Sequence, residues 1–225
     1  MRCKPEMMRL YAVTDRTWAK EQSLIEQVEE AIRGGVTCVQ LREKELDEAK
    51  FLQEAIEMQK LCARYHVPLI INDHVEIAKK CKAAGVHLGQ KDMEAKKARE
   101  VLGPEMILGV SARTVEQAIA AERAGADYLG VGAVFATSTK SDAKEISHDT
   151  LKEICESVCI PVVAIGGIGK QNLGELAGTG IAGTALVSAI FAAEHIEQEC
   201  SELLKKVRAC VEEGKDENSV DDCGK

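Results

Sequence analysis

Short runs of β-branched and aliphatic residues recur along the chain at 10–14, 38–41, 69–71, 86–88, 107–110, 128–131, 162–165 and 185–187. Between them lie stretches whose apolar positions repeat at helical spacing, at about 23–33, 47–65, 75–83, 94–101, 114–124, 149–158, 170–177 and 189–211. Glycine and proline mark the joints: Gly34-Gly35, Pro68, Gly85, Gly103-Pro104, Gly125 and Pro161. Two joints look alike, Ala83-Ala84-Gly85 and Ala124-Gly125-Ala126, and each reads as a helix closed by a glycine before the next strand. Strict alternation of strand and helix implies parallel strands, because only crossover connections can return the chain in the same direction. Eight such units predict an α/β chain folded as a single (β/α)8 TIM barrel with parallel strands over residues 1–211. A doubly wound open sheet is the alternative. It is disfavoured because no Gly-x-Gly-x-x-Gly follows the first strand and no strand reads as a surplus edge. Residues 212–225 form a polar, acidic tail expected to be disordered.

Composition narrows the class. Aromatic residues make up only 3% of the chain, so the core must be aliphatic. The formal net charge of −8 argues against nucleic acid or an anionic membrane as a partner, while leaving room for a local cationic cluster that binds a small anion. The longest uncharged run, 176–193, carries three glycines, two threonines and a serine, which is no lipid-spanning pattern. The charged opening at 1–6 is followed by no apolar h-region, so a cytoplasmic location is expected. The nine cysteines include no Cys-x-x-Cys pair, and the five histidines show no zinc spacing. A homo-oligomer is compatible with all of this, and the sequence does not decide it.

In such a barrel, chemistry gathers at the C-terminal ends of the strands. After the second run come Gln40, Arg42 and Lys44, which share one face if the strand geometry persists. Two cations and an amide there suit a phosphate or diphosphate, although a solvated strand end explains the pattern equally well. Asn72-Asp73 and Asp92 follow the third and fourth runs, and carboxylates on neighbouring strand ends are a natural pair for one Mg²⁺. Ser111 follows the fifth. The stretch 132–147, rich in hydroxyls and carrying Lys140, reads as a loop over the barrel mouth that closes on its ligands. Gly166-Gly167 after the seventh run and Ser188 after the eighth match the phosphate-binding end of many barrels.

Taken in order, these segments resemble the thiamine-phosphate synthase family: YAVTD at 11–15, QLREK at 40–44, IND at 71–73, GVHLGQKD at 85–92, GVS at 109–111, AGADYLGVG at 124–132, TSTK at 137–140, VAIGGI at 163–168 and VSAI at 187–190. The chain departs from the pattern with Ala136, where many relatives have proline, and with Ile181-Ala182-Gly183, where Ala-Asp-Gly is common. The resemblance implies a transferase that joins an aminopyrimidine bearing a diphosphooxymethyl group to a thiazole bearing a phosphorylated hydroxyethyl arm. Its products are thiamine monophosphate and diphosphate. Its partners are then two small phosphorylated substrates, and its cofactor one Mg²⁺ per site. Carried over residue by residue, it implies pyrimidine-diphosphate contacts from Gln40, Leu41, Arg42, Glu43, Lys44, Asn72, Ser111 and Lys140, with Arg42, Ser111 and Lys140 in catalytic roles. It implies a thiazole-phosphate site at Thr137, Ser138, Thr139, Gly167, Val187 and Ser188, and metal ligation by Asp73 and Asp92. A tautomerase-like paralogue, a sugar-phosphate isomerase on the same barrel and a non-catalytic phosphate sensor are the competing readings.

Overall fold

The computed structural model describes residues 3–19, 22–137 and 145–212. Eight strands, β1 (Leu10–Val13), β2 (Cys38–Leu41), β3 (Leu69–Asn72), β4 (Gly85–Leu88), β5 (Ile107–Ala112), β6 (Tyr128–Gly132), β7 (Val162–Ile165) and β8 (Gly183–Leu186), close into a barrel in chain order. Every neighbouring pair is parallel, including β8 against β1. The expected (β/α)8 barrel is therefore the observed one.

The strands carry almost no exposed residue because both faces are covered. Side chains of one parity, among them Tyr11, Val13, Cys38, Ile70, Ile107, Tyr128, Val163 and Ala185, fill the barrel interior, and Cys3 and Met8 pack into its N-terminal end. Those of the other parity, such as Val39, Leu41, Ile71, Val86, Leu129 and Leu186, face outward. They pack under helices α1 (Leu24–Arg33), α2 (Glu48–Arg64), α3 (Val75–Cys81), α4 (Ala95–Leu102), α5 (Val115–Arg123) and α6 (His148–Ser157). Local sequence sets the helix starts. Ser23 and Glu26 form a reciprocal capping box on α1, and Asp47, Thr114 and Ser147 accept from backbone N–H groups at the starts of α2, α5 and α6.

Three expectations are corrected. The segment 170–177 is a 3-10 turn, Leu173–Leu176, not an α-helix; Gly169, Gly174 and Gly178 leave too few helix formers to propagate one. The segment 189–211 is two helices, α7 (Ser188–Phe191) and α8 (Ile196–Glu212). In one straight helix Phe191 would lie about 140° around the axis from Ile196. Both side chains are buried, and only a break lets both reach the core. Third, α3 is closed by Lys82 in the left-handed conformation, whereas Gly85 belongs to β4. A Cβ at residue 85 would stand 2.1 Å from the Ile107 carbonyl oxygen, so close strand approach, not a cap, explains that glycine. At the other joint Gly125 does adopt positive φ, +93°. The last helix, α8, runs through Glu212, and the rest of the expected tail lies outside the described residues.

A largely covered ion pair ties the α4–β5 and α5–β6 joints. Arg99 donates to Asp127 at 2.5 Å and to the carbonyls of Gly103, Met106 and Gly125, while the Leu108 N–H donates to Asp127 at 2.8 Å. Removing one partner leaves the other charge buried, so Asp127→Ala is expected to cost about 3 kcal/mol in urea unfolding. A loss within 1 kcal/mol, by roughly the worth of one ordinary hydrogen bond, would show that the joint holds without the pair. No helix among the described residues is long and apolar enough to cross a membrane.

Candidate active site

At the end of β2 the alternation of side chains separates the five residues 40–44. Gln40 points into the barrel and donates from Nε2 to the Tyr11 hydroxyl at 2.8 Å. Leu41 is fully buried in the outer layer beneath the helices. The strand ends there, and Thr14 fastens the next residue: its hydroxyl accepts from the Arg42 N–H at 3.0 Å and donates back to the Arg42 carbonyl at 3.4 Å. The Arg42 guanidinium is largely covered and lies 3.7 Å from Asp15, which orients it without neutralising it at bonding distance. Glu43 turns to Arg16, which donates twice at 2.7 and 2.9 Å, and accepts the N–H groups of Lys44 and Glu45. Burial pushes the Glu43 carboxyl up, but those N–H donors and the guanidinium outweigh it and hold it below its ordinary range. Lys44 is exposed. Of the residues expected to contact the pyrimidine diphosphate, Leu41 and Glu43 have their side chains committed to the fold, which leaves their backbone for a ligand.

Asn72 and Asp73 leave β3 in a strained turn. Asp73 sits at φ +64°, held by its own N–H donating to the His87 carbonyl at 2.8 Å. On the adjacent strand, Asp92 curls back to accept the Gly89 N–H at 2.7 Å, and the Gln90 side chain donates to the Ser111 carbonyl at 2.5 Å. The loop after β4 is thereby fastened to the end of β5. Asp73 and Asp92 follow neighbouring strands, and no group of three or more His, Cys, Asp or Glu among the described residues is arranged to hold a metal by itself.

Three residues that sequence reasoning left without a role join the site. From Gln40 a line of hydrogen bonds runs through the barrel: Tyr11 to Tyr128, hydroxyl to hydroxyl, at 2.8 Å; Tyr128 to His87 Nδ1 at 2.9 Å; His87 Nε2 to Ser111 Oγ at 2.9 Å. The signal was present in the parity of the strands, since Tyr11, His87 and Tyr128 take interior positions. It was hidden because two facing glycines make the space. A Cβ at Gly109 would stand 2.1 Å from the Tyr128 ring, and one at Gly130 would stand 2.9 Å from the His87 ring.

Across the mouth, the ends of β6 and β7 are laced together. Val134 and Phe135 donate to the carbonyls of Ile165 and Gly166 at 3.1 Å each. Gly167 adopts φ +66°, and a Cβ there would lie 2.3 Å from the Ala136 carbonyl oxygen, so glycine is required twice over. Asn172 bridges this loop, donating to the Gly167 carbonyl at 2.9 Å and accepting from the Gly169 N–H at 2.8 Å. Val187 and Ser188 follow β8 and open α7. Thr137 ends a described segment, whereas Ser138, Thr139 and Lys140, with 141–144 of the loop expected to close over the mouth, lie outside the described residues.

Among the described residues, no thiol resembles an activated nucleophile. Burial pushes the Cys3, Cys62, Cys155 and Cys200 thiols up to about 12, far from thiolate chemistry at neutral pH. A broad hollow of about 850 Å³ lies on the flank between α1 and α8, away from the strand ends, with four glutamates against Arg33 and Lys205 in its lining.

Comparison with known proteins agrees with this geometry. A family model for thiamine monophosphate synthase matches residues 10–190. The thiamine-phosphate synthase of Clostridium acetobutylicum is 51% identical over 189 residues, which are 84% of this chain and 90% of that protein. A thiamine-phosphate synthase of Streptococcus pneumoniae is 48% identical, covering 90% of this chain and 96% of that protein. Among solved structures, thiamine phosphate pyrophosphorylase from Pyrococcus furiosus superposes with a TM-score of 0.85 at 39% identity, over 92% of this chain and 98% of that one. With a family model matched over residues 10–190, relatives near 50% identity and a closed parallel barrel, the chain belongs to the thiamine monophosphate synthase family, transferases of thiamine biosynthesis.

Proposed function

We propose that the chain joins 4-amino-2-methyl-5-(diphosphooxymethyl)pyrimidine to 4-methyl-5-(2-phosphooxyethyl)thiazole at the C-terminal mouth of the barrel. The C–O bond to diphosphate breaks, the thiazole nitrogen forms the new C–N bond, and thiamine monophosphate and diphosphate leave. The observation that carries this reading is the guanidinium of Arg42 just past β2, with the carboxylates Asp73 and Asp92 trailing the next two strands, β3 and β4.

The donor set fits Mg²⁺. Two hard carboxylate oxygens on adjacent strand ends, with no third protein carboxylate or imidazole grouped beside them among the described residues, leave most of an octahedron to water and phosphate oxygens. When bound, Mg²⁺ supplies neutralising charge to the diphosphate. The residues of the chain supply the rest. Arg42 binds the departing diphosphate, with Lys44 and Lys140 as further cations. Asn72, Gln40 and Ser111 orient the pyrimidine. Gly167 and Ser188 offer backbone N–H groups to the thiazole phosphate, next to Thr137, Ser138, Thr139 and Val187. Breaking the bond before the new one forms leaves a short-lived pyrimidine methylene cation. The packed interior keeps water from its inner side, and the order of events needs no covalent enzyme intermediate. Both substrates are phosphate esters whose charge keeps them from crossing membranes, which supports a cytoplasmic location.

The test is release of diphosphate with both substrates, with Mg²⁺ or with EDTA. Release is expected only when all three components are present. Turnover undiminished in EDTA would remove the metal from the reading, and no release under any condition would remove the reaction.

A further inference from the structure

The hydrogen-bonded line Gln40–Tyr11–Tyr128–His87–Ser111 joins two residues assigned to the pyrimidine through three that are assigned to nothing. It is built into the barrel. Tyr11 and Tyr128 are at most 1% exposed, their rings meet edge to face at 6.0 Å, and glycines at 109 and 130 leave the hollows that Tyr128 and His87 fill.

With the Gln40 amide nitrogen facing the Tyr11 hydroxyl, two proton arrangements compete along the line. In the first, Gln40 donates to Tyr11, Tyr11 to Tyr128, Tyr128 to His87 Nδ1, and His87 Nε2–H to Ser111. Every proton along the line then has an acceptor, and the Ser111 proton is left for the mouth. In the second, the direction reverses from Tyr128 onward: His87 Nδ1–H donates to Tyr128, and Tyr128 donates to Tyr11. Tyr11 then accepts twice, and its own buried O–H is left with the neighbouring Cys38 sulfur, a weak acceptor. A buried donor without a good acceptor is costly, so the first arrangement prevails.

We infer that Tyr11, Tyr128 and His87 are positioning residues that set hydrogen-bond polarity at the pyrimidine subsite, holding Gln40 with Oε1 outward as acceptor and Ser111 with O–H outward as donor. An acceptor at Gln40 suits the amino group of a 4-aminopyrimidine, and a donor at Ser111 suits a ring nitrogen. A 4-oxopyrimidine presents a carbonyl acceptor and a ring N–H in their place. The relay thus selects amino over oxo substrates, and a site built to pair buried polar groups discriminates strongly against the reversed pattern. The inference rests on the proposed reaction for its substrate class.

The experiment measures kcat/KM for the 4-amino diphosphate substrate and for its 4-oxo analogue, in the wild type and in Tyr128→Phe, which keeps the ring and removes both of its bonds. The amino-to-oxo ratio is expected to fall at least tenfold in Y128F, with the KM for the thiazole phosphate unchanged. Equal losses on both pyrimidines, leaving the ratio constant, would make Tyr128 merely structural and overturn the inference. Wild-type protein that releases no diphosphate from the amino substrate would instead overturn the proposed reaction, and this inference with it. Nitrogen NMR of His87 in the wild type, at mildly alkaline pH, decides the matter if Y128F does not fold. The Nε2–H tautomer supports the relay, and the Nδ1–H tautomer overturns it.

Discussion

Asp92→Ala is expected to lower turnover by about 10³-fold while the protein stays folded. Charge neutralisation at a departing diphosphate is worth several kcal/mol, and each 1.36 kcal/mol is roughly tenfold in rate. The side chain is exposed and accepts the Gly89 N–H at 2.7 Å, so its loss should cost no more than about 1 kcal/mol of stability. Asp92→Asn separates the two roles, because an amide oxygen can still accept from Gly89 but brings no charge. Steady-state diphosphate release across a Mg²⁺ titration, paired with thermal unfolding, gives both numbers. Asn at this position turning over like the wild type would show that Asp92 only closes its turn, and the metal assignment would fall with it.

Arg42→Ala should reduce kcat/KM for the pyrimidine diphosphate by about 10- to 150-fold, the range expected for a charge-assisted contact of about 1.5–3 kcal/mol. Thr14 fixes the Arg42 backbone and Asp15 lies 3.7 Å from its guanidinium, so part of the ordering is done before substrate arrives. The KM for the thiazole phosphate should be spared. Saturation curves for each substrate, with the other in excess, resolve the two effects; a variant that weakened only the thiazole phosphate would place Arg42 in the wrong subsite. Glu43→Gln makes an instructive contrast. Its carboxylate is bound to Arg16 and two N–H groups instead of facing a ligand, so the loss should appear first in stability. Because the fold holds that carboxyl below its ordinary pKa, its contribution is present above the unfolded-state value and fades as pH falls through the folded one.

The architecture was legible in the chain because it depends on local features. Apolar runs, helical periodicity and the residues that punctuate them are set over a few positions, and each strand–helix unit obeys the same handedness and connection rules. The strand-end residues were legible for a related reason: in a parallel barrel every strand points its C-terminus the same way, so chain order alone gathers Arg42, Asp73, Asp92, Ser111 and Gly167 at one mouth. Three kinds of feature were not. Whether a side chain at a strand end faces ligand or fold depends on parity and on distant partners, as Leu41 under the helices and Glu43 against Arg16 show. Whether apolar positions belong to one helix or two depends on what they must reach, which is why 189–211 breaks between Phe191 and Ile196. And the polar line from Gln40 to Ser111 spans five strands that no stretch of sequence brings together. It exists because two glycines, on β5 and β6, vacate the space its rings occupy, and a missing side chain reveals its purpose only once the neighbour that fills the hollow is in place.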